Sequence, residues 1–337
     1  MIFNITQIVI FQLIITFPIV MLSKKLGLLD LPSKRKLHSN PTPYTGGLIV
    51  SLTFLFIVFI TNYDNYYLNL ILSFSILIAI TGLIDDKYNV NPGTKLVLQF
   101  FPIFFLIENN LYLTDLGSYE HFGIMQLASF SKIFTIFSCL LIINAFNYSD
   151  GLDGLISSIL IVILISFNLY QVLLQNNNID YYLLTICIPF TIFIFFNLGV
   201  IKNFKIFLGD SGSNLVGFVI SFIAIYMYNV KGLQPSIIIW PLGYIVFEFL
   251  SVNIIRLIYN KKIFKPGNDH LHYELKKIFF LKKNLILLII LLINIFYSLV
   301  GYLIFIYLEN YLSIIFYILF FIIYLMFKLK IRKKLNY

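Results

Sequence analysis

The chain of 337 residues has little charge: Asp, Glu, Lys and Arg make up 12% of it, against about 25% in an average soluble domain. That shortage excludes an ordinary water-exposed surface. Cysteine is nearly missing. The two present, Cys139 and Cys187, lie in apolar runs and read as small core residues, so neither a disulfide nor a metal–thiolate site is expected. With 17 Gly and 10 Pro the chain is not collagen-like, and its wealth of Ile, Leu and Phe excludes disorder. No internal repeat or low-complexity segment gives a usable signal. What is abundant is apolar: 60% hydrophobic residues, 36 Phe, 23 Tyr and a mean hydropathy of +0.92. A membrane helix needs roughly 20 residues, plus about 10 for a connection. The chain therefore reads as an all-α integral membrane protein of about 11 spans, with 10 as the alternative count. It forms a single polytopic domain over 1–337.

Apolar runs of spanning length fall near 3–22, 47–62, 66–84, 95–113, 131–147, 154–174, 181–199, 213–229, 235–258, 284–306 and 311–328. The mixed stretch 108–130 suits a short strand or hairpin. Pro241 and Gly243 are placed to break the ninth run, either as an ordinary kink or so as to open a groove for a lipid tail. Lys24 and Lys25 follow the first run and no cation precedes it, the reverse of a cleaved signal peptide. The positive-inside bias then sets the N-terminus outside and the C-terminus in the cytoplasm. An odd span count requires only that the termini face opposite sides. Of the 24 Lys and Arg, all but Lys132 and Lys231 then fall on the inner side. Most of these cations, including Lys24, Lys25 and the run Lys328 to Lys334, read as topology signals and anionic-lipid contacts.

The few acids are sorted too. Asp64, Glu108, Asp115, Glu120, Asp180 and Glu309 map outside without pattern, and Glu248 falls within a span. Asp30, Asp85, Asp86, Asp150, Asp153, Asp210, Asp269 and Glu274 map inside, mostly in polar words at span ends. Gly82-Leu83-Ile84-Asp85-Asp86, followed by Lys95, sets two carboxylates side by side; such a pair persists where a cation, a phosphate-bound metal or a retained proton offsets the repulsion. The word Asn144 to Gly154 spaces Asn144, Asn147, Asp150 and Asp153 by threes, and its Gly151 and Gly154 let backbone approach a ligand. Gly209-Asp210-Ser211-Gly212-Ser213 opens a helix, a setting that suits Mg²⁺ and phosphate. The fourth word, Pro266 to Leu275, contains His270 and His272. Each word alone reads as an ordinary helix cap or turn. Together, all on one side and rich in oxygen ligands without Cys, they point to Mg²⁺ and a polyanion rather than zinc.

These words resemble the polyprenyl-phosphate N-acetylhexosamine-1-phosphate transferases, membrane enzymes related to the phospho-MurNAc-pentapeptide transferase. The resemblance runs from about Leu28 to Leu275. Leu28-Leu29-Asp30-Leu31-Pro32, Arg35-Lys36-Leu37-His38 and Pro41 to Gly47 come first, then Asp85-Asp86 with Lys95 and Gln99, then the words at 144–154 and 209–213. It implies that a sugar-1-phosphate, an N-acetylhexosamine-1-phosphate, passes from a UDP-sugar to undecaprenyl phosphate with release of UMP. This would start a lipid-linked surface polysaccharide of the O-antigen, capsule or teichoic acid type. By residue, the resemblance implies that Asn147 and Asp210 ligate Mg²⁺, with Mn²⁺ as a substitute. Asp85 and Asp86 form the catalytic pair, and Lys95 contacts phosphate. Asp153 meets uracil, and Phe207 stacks on it. His270 and His272 belong to a loop over the diphosphate and sugar. Asp150 falls in the same core words and is assigned to substrate binding. The active site is expected on the cytoplasmic face, built from loops 24–47, 85–95, 144–154, 202–213 and 259–283.

The chain departs from the family where its loop commonly reads Pro-Asp-Arg-x-His-x-His-His. Here Gly267 and Asn268 replace Asp and Arg, and Tyr273 stands for the last His. Tyr273-Glu274-Leu275 leans toward the pentapeptide transferase of peptidoglycan synthesis, the alternative reading. The short stretch from Asp86 to Lys95 leans back toward a polysaccharide initiator. A transporter is the distant alternative, opposed by polar words that all face one side; a purely structural membrane partner is another. Expected partners are the two substrates and the bilayer, with a homodimer as an open option and no nucleic acid. The expected location is the bacterial cytoplasmic (inner) membrane.

Overall fold

The computed structural model describes residues 2–32, 40–61, 65–201, 203–262, 267 and 269–334. The expected runs are helical: α1 Ile2–Lys25, α2 Gly46–Ile60, α3 Tyr66–Tyr88, α4 Pro92–Glu108, α5 Ser131–Ser149, α6 Leu155–Gln175, α7 Tyr181–Asn197 and α8 Gly209–Asn229 in the first two-thirds of the chain. Then follow α9 Pro235–Ile238, α10 Gly243–Ile258, α11 Leu271–Phe279, α12 Lys283–Tyr307 and α13 Asn310–Lys334. Among the described residues, eight helical segments are long and apolar enough to cross a membrane, and α2 and α7 are shorter apolar helices. The protein is an all-α, multi-pass membrane protein. The ninth run breaks where Pro241 removes a backbone N–H: a 3₁₀ turn, Trp240–Leu242, separates α9 from α10. The stretch 108–130 holds an antiparallel hairpin, β3 Asp115–Tyr119 with β4 Gly123–Gln126. Two elements were not legible in the sequence: a two-residue pairing of β1 Leu29–Asp30 with β2 Thr42–Pro43, and the short helix α11 inside the basic loop.

Helix α8 is the centre, almost wholly buried within the protein, and its neighbours approach through small residues. Gly82 of α3 lies against the Asp210–Ser211 backbone, and a Cβ there would sit under 3.0 Å from it. Gly217 of α8 lies equally close to Ile143 of α5, where an added Cβ would meet the Ile143 Cα at 2.5 Å. Without a hydrophobic driving force between helices in lipid, such close backbone approach is how dispersion holds them together. It also sets the ends of α3 and α5 beside the start of α8.

The α3–α4 reversal is built from local chemistry. Asn89 takes a left-handed conformation (φ 50°) and caps α3. Asn91 then accepts the Thr94 N–H with its side chain at 2.9 Å, and Pro92 occupies the first turn of α4. This turn carries Lys95 back over Asp85.

At the opposite helix ends, Lys132 pairs with Glu108 (2.7 Å) and Lys231 with Asp180 (2.8 Å), so both of the cations assigned outside have acidic partners there. The reading of the C-terminal cations as lipid contacts needs correction at two positions. Lys328 and Arg332 are buried and ion-paired within the protein, while Lys330 and Lys333 of the same helix are exposed.

Candidate active site

One cavity of about 1160 Å³ opens among the helix ends, and all ten sequence-derived site residues line it: Asp85, Asp86, Lys95, Asn147, Asp150, Asp153, Phe207, Asp210, His270 and His272. It exceeds the 300–1,000 Å³ typical of a single small-molecule site, leaving room for two substrates.

The floor is a charged knot. The Lys95 ammonium lies 2.8 Å from Asp85 and 2.7 Å from Asp210, and it donates to Asn147 Oδ1 at 3.3 Å. Helices α3, α4, α5 and α8 thus meet at one nitrogen. Backbone amides hold Asp85 and its neighbour Asp86 as well. Asp85 accepts the Val90 N–H at 3.0 Å, and Asp86 accepts the Ser211 N–H at 3.3 Å. Asn147 donates to Ser213 Oγ at 3.0 Å. Gly209, at φ +71°, starts α8 with the Asp86 carboxylate and the Tyr44 carbonyl so close that a side chain has no room. Asp210 sits in the first turn of α8, where the helix dipole favours an anion. Behind the knot, buried Gln99 donates to Asn214 at 3.3 Å.

A second wall carries Asp153 and Phe207. Asp153 pairs with Lys205 at 2.8 Å and Lys283 at 3.8 Å, and the Lys205 ammonium lies 5.3 Å from the Phe207 ring centroid. The chain at 206–208 is pinned in place: Phe207 N donates to the Pro43 carbonyl (2.7 Å), and Gly46 N donates to the Phe207 carbonyl (3.0 Å). The Pro41-to-Gly47 word is therefore a brace for the 206–210 segment. Asn197, missed in the sequence, accepts from Gly154 N and donates to the Ile206 carbonyl at 2.8 Å, joining the two loops. Asp150 faces the open cavity. Enclosure by protein raises its carboxyl pKa, with Asp210 and Asp153 adding to the effect, and access to solvent through the cavity limits the rise.

The third wall is the histidine segment. Its Pro266 and Asn268 lie outside the described residues, as do Arg35, Lys36, Leu37 and His38 of the early basic word. The His270 and His272 rings are stacked, with centroids 5.8 Å apart, and Tyr273 lies 4.2 Å from His272. His272 is buried, its Nε2 pressed against Gly151, and neither ring nitrogen has a hydrogen-bond partner among the described residues. Burial and the neighbouring His270 push its pKa down to about 3, so the ring is neutral near pH 7. Arg256, read from the sequence only as a topology cation, also lines the cavity and holds Asp269 through two bonds of 2.8 and 2.7 Å. Burial alone would raise the Asp269 carboxyl, but Arg256 outweighs it and holds the pKa at about 2. No single-residue signal marked Arg256, Asn197 or Lys283; their partners are distant in sequence.

The donors suit a hard divalent ion in type. Asp210 and Asn147 offer oxygen, with Asp85 and Asp86 close by and neither Cys nor His at the knot. Among the described residues there is no cluster of three or more His, Cys, Asp or Glu able to hold a metal alone. Mg²⁺ needs only one or two protein carboxylates, its shell being completed by water and substrate phosphates, so Asp210 with Asn147 is a sufficient donor set.

A membrane-embedded helical bundle, with an oxygen-rich and cationic cavity at one set of helix ends, offers a place where a phosphorylated ligand can meet the bilayer. Comparison with known proteins makes this specific. Residues 68–228, which span α3 to α8 and most of the knot, match Glycosyl transferase family 4. Among curated proteins, the chain is 29% identical over 274 residues to the undecaprenyl-phosphate alpha-N-acetylglucosaminyl 1-phosphate transferase of Yersinia pestis, covering 79% of this chain and 74% of that protein. The protein of the same name from Escherichia coli (strain K12) is 26% identical over 273 residues, 80% of this chain and 74% of its own. That of Pasteurella multocida (strain Pm70) is 27% identical over 260 residues, 75% and 72%. These matches support the polyprenyl-phosphate N-acetylhexosamine-1-phosphate transferase family for this chain.

Proposed function

We propose that the protein transfers an N-acetylhexosamine-1-phosphate from a UDP-sugar to undecaprenyl phosphate, releasing UMP, and so starts a lipid-linked surface polysaccharide. An oxygen of the lipid phosphate bonds to the β-phosphorus of the UDP-sugar. The bond from that phosphorus to the bridging oxygen breaks, and UMP leaves with the bond's electrons. The single observation that carries this reading is the Lys95 knot, which gathers Asp85, Asp210 and Asn147 at the floor of a cavity large enough for both substrates.

The reaction must bring two anions together. Lys95 supplies fixed positive charge where they meet, in a site poorer in water than bulk, so its charge counts for more. Asp210 and Asn147 would hold Mg²⁺, sharing their oxygens with Lys95, and the ion when bound would neutralise charge building on the leaving diphosphate oxygen. Asp85 is already tied to Lys95 and Val90 N, which favours an orienting role over attack on the diphosphate. A phosphate monoester is mostly dianionic at pH 7, so little is asked of a general base. Asp85 then orients the lipid phosphate or takes its residual proton, and Asp86 is fixed beside it by Ser211 N. Phe207 offers a face for the uracil ring, with Asp153 on the same wall and Asp150 also lining the cavity. His270 and His272 cover the diphosphate and sugar.

The sidedness of the cations supports a cavity open to the cytoplasm, with eleven crossings, the N-terminus outside and the C-terminus inside. The bacterial cytoplasmic membrane is the location this implies. A panel of UDP-sugars, read by UMP release with undecaprenyl phosphate present, tests the reading. UDP-N-acetylglucosamine is the expected donor; turnover with only the UDP-MurNAc-pentapeptide would assign the chain to peptidoglycan synthesis, and turnover with none would reject transfer altogether.

A further inference from the structure

The histidine segment is held from behind by a buried group of charges that touches neither Asp210 nor Lys95. Three acids are involved. Glu248 of α10 is fully buried and accepts the Leu271 N–H at 2.8 Å, with His270 Nδ1 3.3 Å away. Glu274 of α11 and Asp269 are the others. Two cations of α13 bind across them. The Lys328 ammonium lies 2.6 Å from Glu274 and 3.2 Å from Glu248, and it donates to the Asp269 carbonyl at 3.0 Å. Arg332 lies 3.3 Å from Glu274 and 3.2 Å from the Asp269 carboxylate, and it also donates to the Asp269 carbonyl at 3.2 Å. Tyr324, one turn before Lys328, hydrogen-bonds Glu248. One face of α13, at a spacing of four residues, is therefore devoted to the backbone and acids that bracket His272.

Burying this many charges is costly, and a group of buried ion pairs gives little net stability over an apolar packing of the same size. Its use is geometric. The segment 269–274 cannot shift without breaking bonds to both α10 and α13, and among the described residues His272 has no side-chain hydrogen bond to fix it. We propose that Lys328 and Arg332 are positioning residues: from the last turns of the C-terminal helix they hold the 269–274 segment so that His272 stands at the cavity wall. Their effect on turnover rests on the transferase reading above; their effect on the segment does not.

The test uses the full-length protein in undecaprenyl phosphate-containing vesicles, with Lys328→Met and Arg332→Gln as perturbations. Lys330→Ala and Lys333→Ala, exposed on the same helix, are the controls for charge near the membrane. Hydrogen exchange is read by peptide. The two perturbations are expected to speed exchange of residues 269–279 by about tenfold or more, because each removes one of the cations that Glu248, Glu274 and Asp269 share and the hydrogen bond it gives the Asp269 carbonyl, and to leave 82–95 and 209–214 unchanged. Turnover per KM for the UDP-sugar falls by about tenfold, with KM for undecaprenyl phosphate unmoved and Arg332→Lys restoring most of the loss. Unchanged exchange at 269–279, or an equal effect from Lys330→Ala and Lys333→Ala, overturns the proposal. If Lys328→Met fails to accumulate, Arg332→Gln and its Lys rescue decide. If wild type turns over no UDP-sugar, the transferase reading fails and the exchange measurement still decides the positioning role.

Discussion

Gly82→Ala is a single methyl placed where α3 meets α8, well away from solvent. Its Cβ would lie under 3.0 Å from the Asp210 carbonyl and the Ser211 backbone. Carbon contacts are comfortable at about 3.5–4.0 Å, against 2.4 Å here, so the helices must part by roughly 1 Å or more. The atoms met are main chain and cannot rotate away. Overpacking of this kind costs about 1–3 kcal/mol, so the protein should still assemble with a lowered Tm. The site is less tolerant. Asp85 stands three residues on from Gly82, and Asp210 is the residue struck, while Lys95 bridges them at 2.8 and 2.7 Å. Opening that bridge by the same amount weakens both bonds, and misplacement near 1 Å costs on the order of 100-fold in rate. We expect UMP release to fall between about 10- and 100-fold, against a smaller change for Gly93→Ala, where an added Cβ meets only Asn91 Oδ1 at 3.4 Å. Turnover of Gly82→Ala at the wild-type rate would refute the claim that α3–α8 contact sets the site.

Further outcomes are expected. Lys95→Met leaves Asp85 and Asp210 facing each other without their cation and should lower turnover at least 100-fold, measured as UMP release. Chelation of divalent ions should abolish turnover, with Mg²⁺ restoring it and Mn²⁺ substituting; Asp210→Asn should raise the Mg²⁺ concentration needed for half-maximal rate, and an unshifted requirement would remove Asp210 from the ion's ligands. His272 has a folded pKa near 3, below its unfolded 6.5, so the unfolded chain takes up its proton first as pH falls. The stability it contributes is thus present above about pH 6.5 and lost toward pH 3, and a His272→Gln variant should show a shallower fall of Tm across that window. Asp85→Asn at high pH separates its two roles: wild-type turnover there would leave only the residual-proton role.

Much of this was legible because charge is so scarce. In a chain this apolar, Asp85-Asp86, Asn147, Asp153 and Asp210 stand out, and their positions at span ends already implied one shared face. The helices followed from hydropathy, and the ninth broke where Pro241 predicts. What stayed hidden were pairings between segments far apart in sequence. Lys328 and Arg332 look like a terminal basic run. Only the fold sets them on Glu248 and Glu274, and the spacing of Tyr324, Lys328 and Arg332 by fours is the one trace of it in the sequence. Helix α11 has nine residues, too short for a spanning window, and its His272 and Glu274 lie on a buried face while Lys276 and Lys277 are exposed. Asn197 and Arg256 gave no local signal, since one ties two loops and the other meets Asp269 after a turn.

The central claim concerns which bond breaks. A UDP-N-acetylhexosamine labelled at the β-phosphorus, given to membranes with undecaprenyl phosphate and Mg²⁺, decides it. The account predicts that the label enters the lipid phase and that unlabelled UMP is released in equal amount, with both lost in Asp210→Asn. Label retained in released UDP, or in a water-soluble sugar phosphate, would contradict it.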